Sequence, residues 1–217
     1  MTDNRRPLKS RGAGWARGLA AALARTGVQP DAVSASSMVF ALIGAGALWI
    51  SADATGGSRV GLLLAAAACI QLRLIANLLD GMVAVEHGRG GPLGPVWNEL
   101  PDRIADILLL AGAGYALRHV SPEFGPLLGW LAASLAVLTA YIRELGRALG
   151  HEADFAGPGA KPHRMAALTV GCGLAAAEPL WHAGSTALLL ALAVIVALTA
   201  ITVVRRTLRL ASRLRAA

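Results

Sequence analysis

The chain has 217 residues, of which 55% are hydrophobic, 15% charged and 5% aromatic, and its mean hydropathy is +0.57. A soluble domain of this size carries about 25% charged residues. The apolar residues here also fall in long blocks, which excludes a disordered chain, a secreted disulfide scaffold and an ordinary cytosolic globule. The formal net charge of +7 would favour nucleic acid in a soluble protein. In a chain of apolar blocks it reports topology instead, and no nucleic-acid partner is expected.

The first 30 residues are polar and basic, so no cleavable signal peptide is expected. Arg5, Arg6, Lys9, Arg11, Arg17 and Arg25 flank an apolar stripe of Trp15, Leu19, Ala22 and Leu23, the pattern of an amphipathic helix lying on a membrane surface. Thr26-Gly27-Val28-Gln29-Pro30 then breaks it. Six membrane spans are expected after that, over 33–50, 60–85, 98–117, 125–142, 165–180 and 185–204. Ala, Leu and Gly dominate them, and small residues let helices approach closely in lipid. Cys69 and Cys172 lie inside apolar runs and read as packing residues.

Six spans put both termini on one side. The N-terminal segment, the 143–164 connection and the tail with Arg205, Arg206, Arg209, Arg213 and Arg215 are rich in cations, whereas the opposite loops hold only Arg59 and Arg118. Both termini are therefore expected in the cytoplasm. Trp49, Trp130 and Trp181 fall near the far side, as an aromatic belt would.

Intramembrane carboxylates are costly and are retained where they face a cavity, bind an ion or pair with a cation. Here they gather at the cytoplasmic ends of spans two and three. Asn77 and Asp80 are spaced i, i+3, with Gly81 and Ala84 continuing that face; Asn98, Asp102 and Asp106 are spaced i, i+4, i+8. Oxygen ligands without His or thiolate suit a hard cation, Mg²⁺ or Mn²⁺. Gly81 and Ala84 leave room for a bulky ligand beside those oxygens. The bland alternative is that Asp80 and Asp102 pair internally with Arg73 and Arg103, and that Asp106 pairs with Arg103. Arg143 at the end of span four, and Lys161 and Arg164 at the start of span five, suit phosphate contact or simple positive-inside anchoring.

The segment from Asn77 through Asp80, Gly81, Ala84 and Val85, then Gly94, Asn98 and Asp102, resembles the CDP-alcohol phosphotransferase signature, D-x-x-D-G-x-x-A-R-(x)8-G-x-x-x-D-x-x-x-D. Every spacing matches over the 26 positions from 77 to 102, and Asp80, Gly81, Ala84, Gly94 and Asp102 match by identity. Asn77 and Asn98 stand where the family has acids, and Val85 where it has arginine. The resemblance implies transfer of a substituted phosphate, phosphatidyl in the expected form, from a CDP-linked donor such as CDP-diacylglycerol to a small or phosphorylated alcohol, with release of CMP. It implies a metal role for Asp80 and for the positions of Asn77, Asn98 and Asp102, a general-base role for Asp102, and donor contact at Gly81, Ala84 and Gly94. Asp106, one turn beyond Asp102, is a candidate for returning part of the charge lost at the two amides. Family members are commonly dimers, so a homodimer is expected.

The expected protein is thus all-α and polytopic: a basic segment with an amphipathic juxtamembrane helix over 1–32, a six-helix transmembrane catalytic domain over 33–206, and a basic cytoplasmic tail over 207–217. Its expected place is in a membrane lipid phase, the bacterial inner membrane, in phospholipid biosynthesis. A catalytically inactive relative that binds nucleotide or lipid as a scaffold is the alternative, favoured by the two amides and Val85. A transporter gains little, because the carboxylates cluster at one depth. A cysteine introduced at either terminus is expected to stay unreactive toward an impermeant maleimide added to intact cells, and labelling from outside would overturn the orientation.

Overall fold

The computed structural model describes residues 12–28, 30–86, 93–181 and 186–216. Among these it forms seven α-helices and no strand: α1 (Gly14–Thr26), α2 (Pro30–Ser51), α3 (Gly56–Glu86), α4 (Gly94–Tyr115), α5 (Phe124–Ala148), α6 (Lys161–Ala177) and α7 (Thr186–Ala216), with a short 3₁₀ turn over Glu178–Trp181. Four of them, α2, α3, α5 and α7, are long and apolar enough to cross a membrane, which makes this an integral membrane protein of the helical class. The third and fifth expected spans are the helices α4 and α6, whose first turns carry Glu99, Asp102, Arg103 and Asp106, and Lys161, His163 and Arg164. Those charges remove α4 from the purely apolar set, and α6 is also short for a span at 17 residues. The segment expected as a tail continues α7 through Ala216, because neither Gly nor Pro interrupts 186–216.

Helix α1 ends at Gly27, whose φ of 78° is a left-handed cap. It buries Ala16, Ala20 and Ala24 and packs against α3, so the small-residue stripe faces the protein. Trp15 and Leu19 from the expected apolar stripe stay exposed on the outer side. The other six helices close a ring. α2 packs on α3, α3 on α6, α6 on α7, α7 on α5, α5 on α4, and α4 back on α2. One half of the ring collects an apolar core of Leu48, Leu63, Leu109, Leu117, Leu188 and Leu192. The other half collects buried polar groups from all six helices: Ser34, Arg73, Asp106, Thr139, Arg164 and Arg206.

At the far end of the bundle, away from these polar groups, Asp53 in the α2–α3 turn pairs with Arg118 and, at 2.7 Å, with Nε2 of His119. The hydrogen bond to His119, aided by the Arg118 charge, holds the Asp53 carboxyl below its ordinary range. Arg118 also lies 5.1 Å from the Trp49 ring centroid, and Trp49 packs on Tyr115. Of the aromatic residues expected at this end, Trp49 is tied to the loops as well as exposed, and Trp130 is exposed; the side chain of Trp181 lies outside the described residues.

Helices α4 and α5 touch backbone to backbone. A Cβ at Gly129 would lie 2.8 Å from both the Gly114 Cα and the Leu110 carbonyl oxygen. Such contact is the main source of helix adhesion where lipid removes the hydrophobic drive. Gly129→Ala is expected to destabilise the bundle by about 1–3 kcal/mol through overpacking, read as a lower Tm in detergent. Gly173→Ala is the control, since a Cβ there meets nothing within 4 Å.

Candidate active site

The polar half of the ring is organised around two acids of α4. Pro101 precedes Asp102 inside this helix, and one turn later Asp106 points into the bundle at 1% exposure. Its Oδ1 accepts from Arg73 Nη2 at 2.8 Å and its Oδ2 from Arg164 Nη2 at 2.8 Å. Arg73, on α3 in the middle of an apolar run, is fully buried. It also donates to the Asp102 carbonyl at 3.1 Å and to Asp102 Oδ1 at 3.3 Å, and its Nη1 meets Met165 Sδ at 3.3 Å. Arg164 Nη1 donates to the Gly159 carbonyl at 2.6 Å and to Thr139 Oγ1 at 3.3 Å.

Asp102 sits at the open edge of this cluster. Besides Arg73, its Oδ1 accepts from Asn77 Nδ2 and from Lys161 Nζ at 2.5 Å; Arg103 faces Oδ2 at 3.5 Å. Asp80 is 6% exposed. Its Oδ2 accepts from Ser34 Oγ of α2 at 2.6 Å, while Oδ1 is buried with no hydrogen-bond partner. Around these three carboxylates stand four cations, Arg73, Arg103, Lys161 and Arg164. At the rim Arg143 pairs with Glu99 and, at 2.8 Å, with Glu144, and lies over the Phe155 ring.

The structure therefore brings together Asn77, Asp80, Asp102 and Lys161, with Asp106 and Arg164 one turn deeper and Arg143 reached through Glu99. Gly81 and Ala84 are half-buried at the end of α3 beyond Asp80. Gly94 opens α4, where a Cβ would meet nothing within 4 Å. The side chains of Asn98 and Val85 lie outside the described residues, although both positions are helical. Of the internal pairings weighed from sequence, Arg73–Asp102 and Arg103–Asp102 form. Asp106 pairs with Arg73 and Arg164 in place of Arg103, because its helix face turns toward α3 and α6. Sequence reasoning passed over Ser34, Thr139 and Arg206. The polar Ser34–Ser37 run at the entry of α2 was the available signal for the first. Arg206, which donates to the Thr139 and Ala156 carbonyls, is indistinguishable in sequence from the anchoring arginines beside it.

Among the described residues no three His, Cys, Asp or Glu side chains converge as a ready metal cage. A divalent ion still fits the donor set that is present. The buried, unpartnered Asp80 Oδ1 is a hard anionic ligand, and Asn77, donating through its nitrogen, leaves its carbonyl oxygen for a cation.

No family profile matches the chain. The phosphatidylinositol phosphate synthase of Mycolicibacterium smegmatis is 28% identical over 162 residues, covering 73% of this chain and 67% of the relative. The crystal structure of Mycobacterium tuberculosis phosphatidylinositol phosphate synthase with manganese and citrate superposes with a TM-score of 0.74 at 21% identity, covering 90% of this chain and 88% of that one. The same enzyme with CDP-DAG bound gives a TM-score of 0.73 at 24% identity, with coverages of 91% and 94%.

Asp106→Asn is expected to lower stability by about 3–5 kcal/mol, because two buried guanidiniums lose their shared counter-charge. Thermal melting checks this, and a parallel Mn²⁺ titration is expected to show nearly unchanged affinity. The chain is thus similar in sequence and in fold to phosphatidylinositol phosphate synthases, and it carries the 77–102 spacing with amides at positions 77 and 98.

Proposed function

We propose that the protein is an integral-membrane phosphotransferase that moves a phosphatidyl group from CDP-diacylglycerol to the hydroxyl of a small, phosphorylated alcohol and releases CMP. The observation that carries this reading is the buried Asp80 carboxylate, one oxygen unpartnered, beside Asp102 and Lys161 on the signature spacing. In support stand the relative, a phosphatidylinositol phosphate synthase, and the solved structure of such a synthase with CDP-DAG bound.

The alcohol oxygen attacks the phosphorus that bears the diacylglycerol. The bond from that phosphorus to the CMP oxygen breaks, and CMP leaves as an anion. Asp102 takes the alcohol proton at Oδ2, the oxygen faced only by Arg103 at 3.5 Å. Arg73, Asn77 and Lys161 hold its other oxygen and so fix its direction. When bound on Asp80 and Asn77, Mg²⁺ or Mn²⁺ polarises the phosphoryl oxygens and offsets the charge of the departing CMP. We read Asp106, with both oxygens in arginine pairs, as structural. Gly81 and Ala84 leave space along α3 for the cytidine side of the donor, with Gly94 at the entrance. Lys161, Arg143 and Arg164 supply positive charge toward the acceptor phosphate. Between α5, the 149–160 connection and α7 lies a narrow cleft where Arg143, Arg206, Arg209 and Arg213 stand beside Glu152 and Asp154.

In this reading α4, about 33 Å long at 1.5 Å per residue, and α6 complete a six-span bundle. The ring closure supports it, since α4 packs between α2 and α5, and α6 between α3 and α7, all four apolar enough to span. Both termini then face the cytoplasm of a bacterial inner membrane, α1 lies along that surface, and two copies form a dimer.

A second reading, an inactive relative that binds donor without turnover, draws on one observation: Asp102 Oδ1 is capped by Lys161, Arg73 and Asn77. Incubation with radiolabelled CDP-diacylglycerol, Mn²⁺ and a panel of alcohols separates the two. Binding with CMP release supports the enzyme, and binding without release from any alcohol supports the scaffold. Asp80→Ala is expected to abolish metal-dependent release with Tm retained, and Asp102→Asn to lower kcat about 10²–10⁴-fold. Full activity in either variant sinks the assigned role.

A further inference from the structure

We propose that this site holds one divalent cation, seated on Asp80 and not on Asp102, and that Ser34 is the residue that aims the Asp80 carboxylate. The inference rests on the reading of the cluster as a metal-assisted phosphotransfer site, and it concerns which oxygens remain for the metal.

Ligand oxygens can be followed one at a time. Asp106 has none left, since Arg73 and Arg164 each take one at 2.8 Å. Asp102 Oδ1 already receives three donors, Asn77 Nδ2, Lys161 Nζ at 2.5 Å and Arg73 Nη2 at 3.3 Å. A divalent ion placed there would have to displace an ammonium at contact distance and then sit against the Arg73 guanidinium. Asp102 Oδ2 faces Arg103. Asp80 Oδ1 alone among these six oxygens is buried without a partner, in a residue nine-tenths removed from solvent. An unpartnered buried carboxylate oxygen is costly unless a cation or donor arrives.

Ser34 explains which oxygen is left. It approaches from α2, across the helix interface, and takes Oδ2 at 2.6 Å, which leaves Oδ1 as the oxygen without a partner. Asn77, one turn before Asp80 on α3, donates to Asp102 Oδ1, which ties Asp80 to the same cluster. A single carboxylate oxygen, the Asn77 carbonyl, water and the donor's phosphates make a coordination shell for one small hard ion. Lys161 supplies at Asp102 the positive charge that a second ion would otherwise bring, and the amides at 77 and 98 remove the carboxylates that a second ion would need.

The test is an Mn²⁺ titration of the full chain in nanodiscs, free Mn²⁺ being read by EPR, with and without CDP and with a CDP-only blank. One Mn²⁺ per chain is expected, removed by Asp80→Asn. Ser34→Ala is expected to weaken binding about tenfold, as loss of a ligand-orienting partner does, and Ser34→Thr to restore it. Asn77→Asp with Lys161→Gln, which adds one carboxylate and uncovers another, is expected to raise the count to two. Two ions or none in the wild type, a count unchanged by Asp80→Asn, or a count still at one in the double variant overturns the proposal. The wild-type count suffices if a variant does not fold. CMP release on the same samples keeps the two ideas apart. Release with two ions bound rejects the single-ion site and leaves the phosphotransferase standing. One ion with neither donor binding nor release supports the ion site and removes the function.

Discussion

The bundle depends on one carboxylate shared by two guanidiniums. Asp106 of α4 holds Arg73 of α3 and Arg164 of α6 at equal distances, deep in a protein whose surroundings offer neither water nor counter-ions. From this point the network spreads. Arg164 reaches α5 at Thr139 and the connection at Gly159, and Arg206 brings in α7 through the Thr139 carbonyl. Ser34 attaches α2 through Asp80. Every helix of the ring thus contributes to one buried polar layer. In lipid, apolar faces alone do not select neighbours, and hydrogen bonds and close small-residue contacts set the order.

That structural use of charge governs the chemistry left over. Arg73 and Arg164 are committed to Asp106, so Arg73 can also steady Asp102 without moving. Asp102 is then bound by three donors on one oxygen and faced on the other by Arg103, as the proposed proton acceptor needs. Asp80 is bound on one oxygen and unpartnered on the other, as the proposed metal ligand needs. Two carboxylates of the same kind thus differ in what their neighbours leave open, serine in one case and a lysine–arginine–amide set in the other. The amides at 77 and 98 lower the negative charge of the site, and the four cations around it keep the remaining acids compensated.

The two halves of the ring have different packing. On the far side, leucines fill the interior, Gly114 and Gly129 bring α4 and α5 into backbone contact, and Asp53 clasps the loops. This half is closed and supplies rigidity. The near half carries long polar side chains that leave a narrow cleft beside Arg143 and Arg209. A Cβ at Gly159 would collide with the Thr199 backbone, so the connection before α6 rests directly on α7 and brings Lys161 and Arg164 to the acids.

Much of this was legible in the sequence. Apolar blocks located all six long helices, because a membrane admits few other ways of satisfying backbone groups. The spacings of Asn77 with Asp80 and of Asn98 with Asp102 marked the candidate site, because i, i+3 and i, i+4 intervals put side chains on one helix face whatever the fold. Composition also announced that Arg73 and Asp106, charges in apolar runs, had partners. It did not say which partners. Arg73 lies 33 residues from Asp106 and Arg164 lies 58 away, and only the closure of the ring brings them together. The same holds for Ser34, 46 residues from Asp80, and for Arg206, one arginine among several in its stretch. Helix periodicity is a local property, set by 3.6 residues per turn, so faces and spacings can be read along the chain. Which face meets which depends on the order of helices around the ring, and only the tertiary structure decided that.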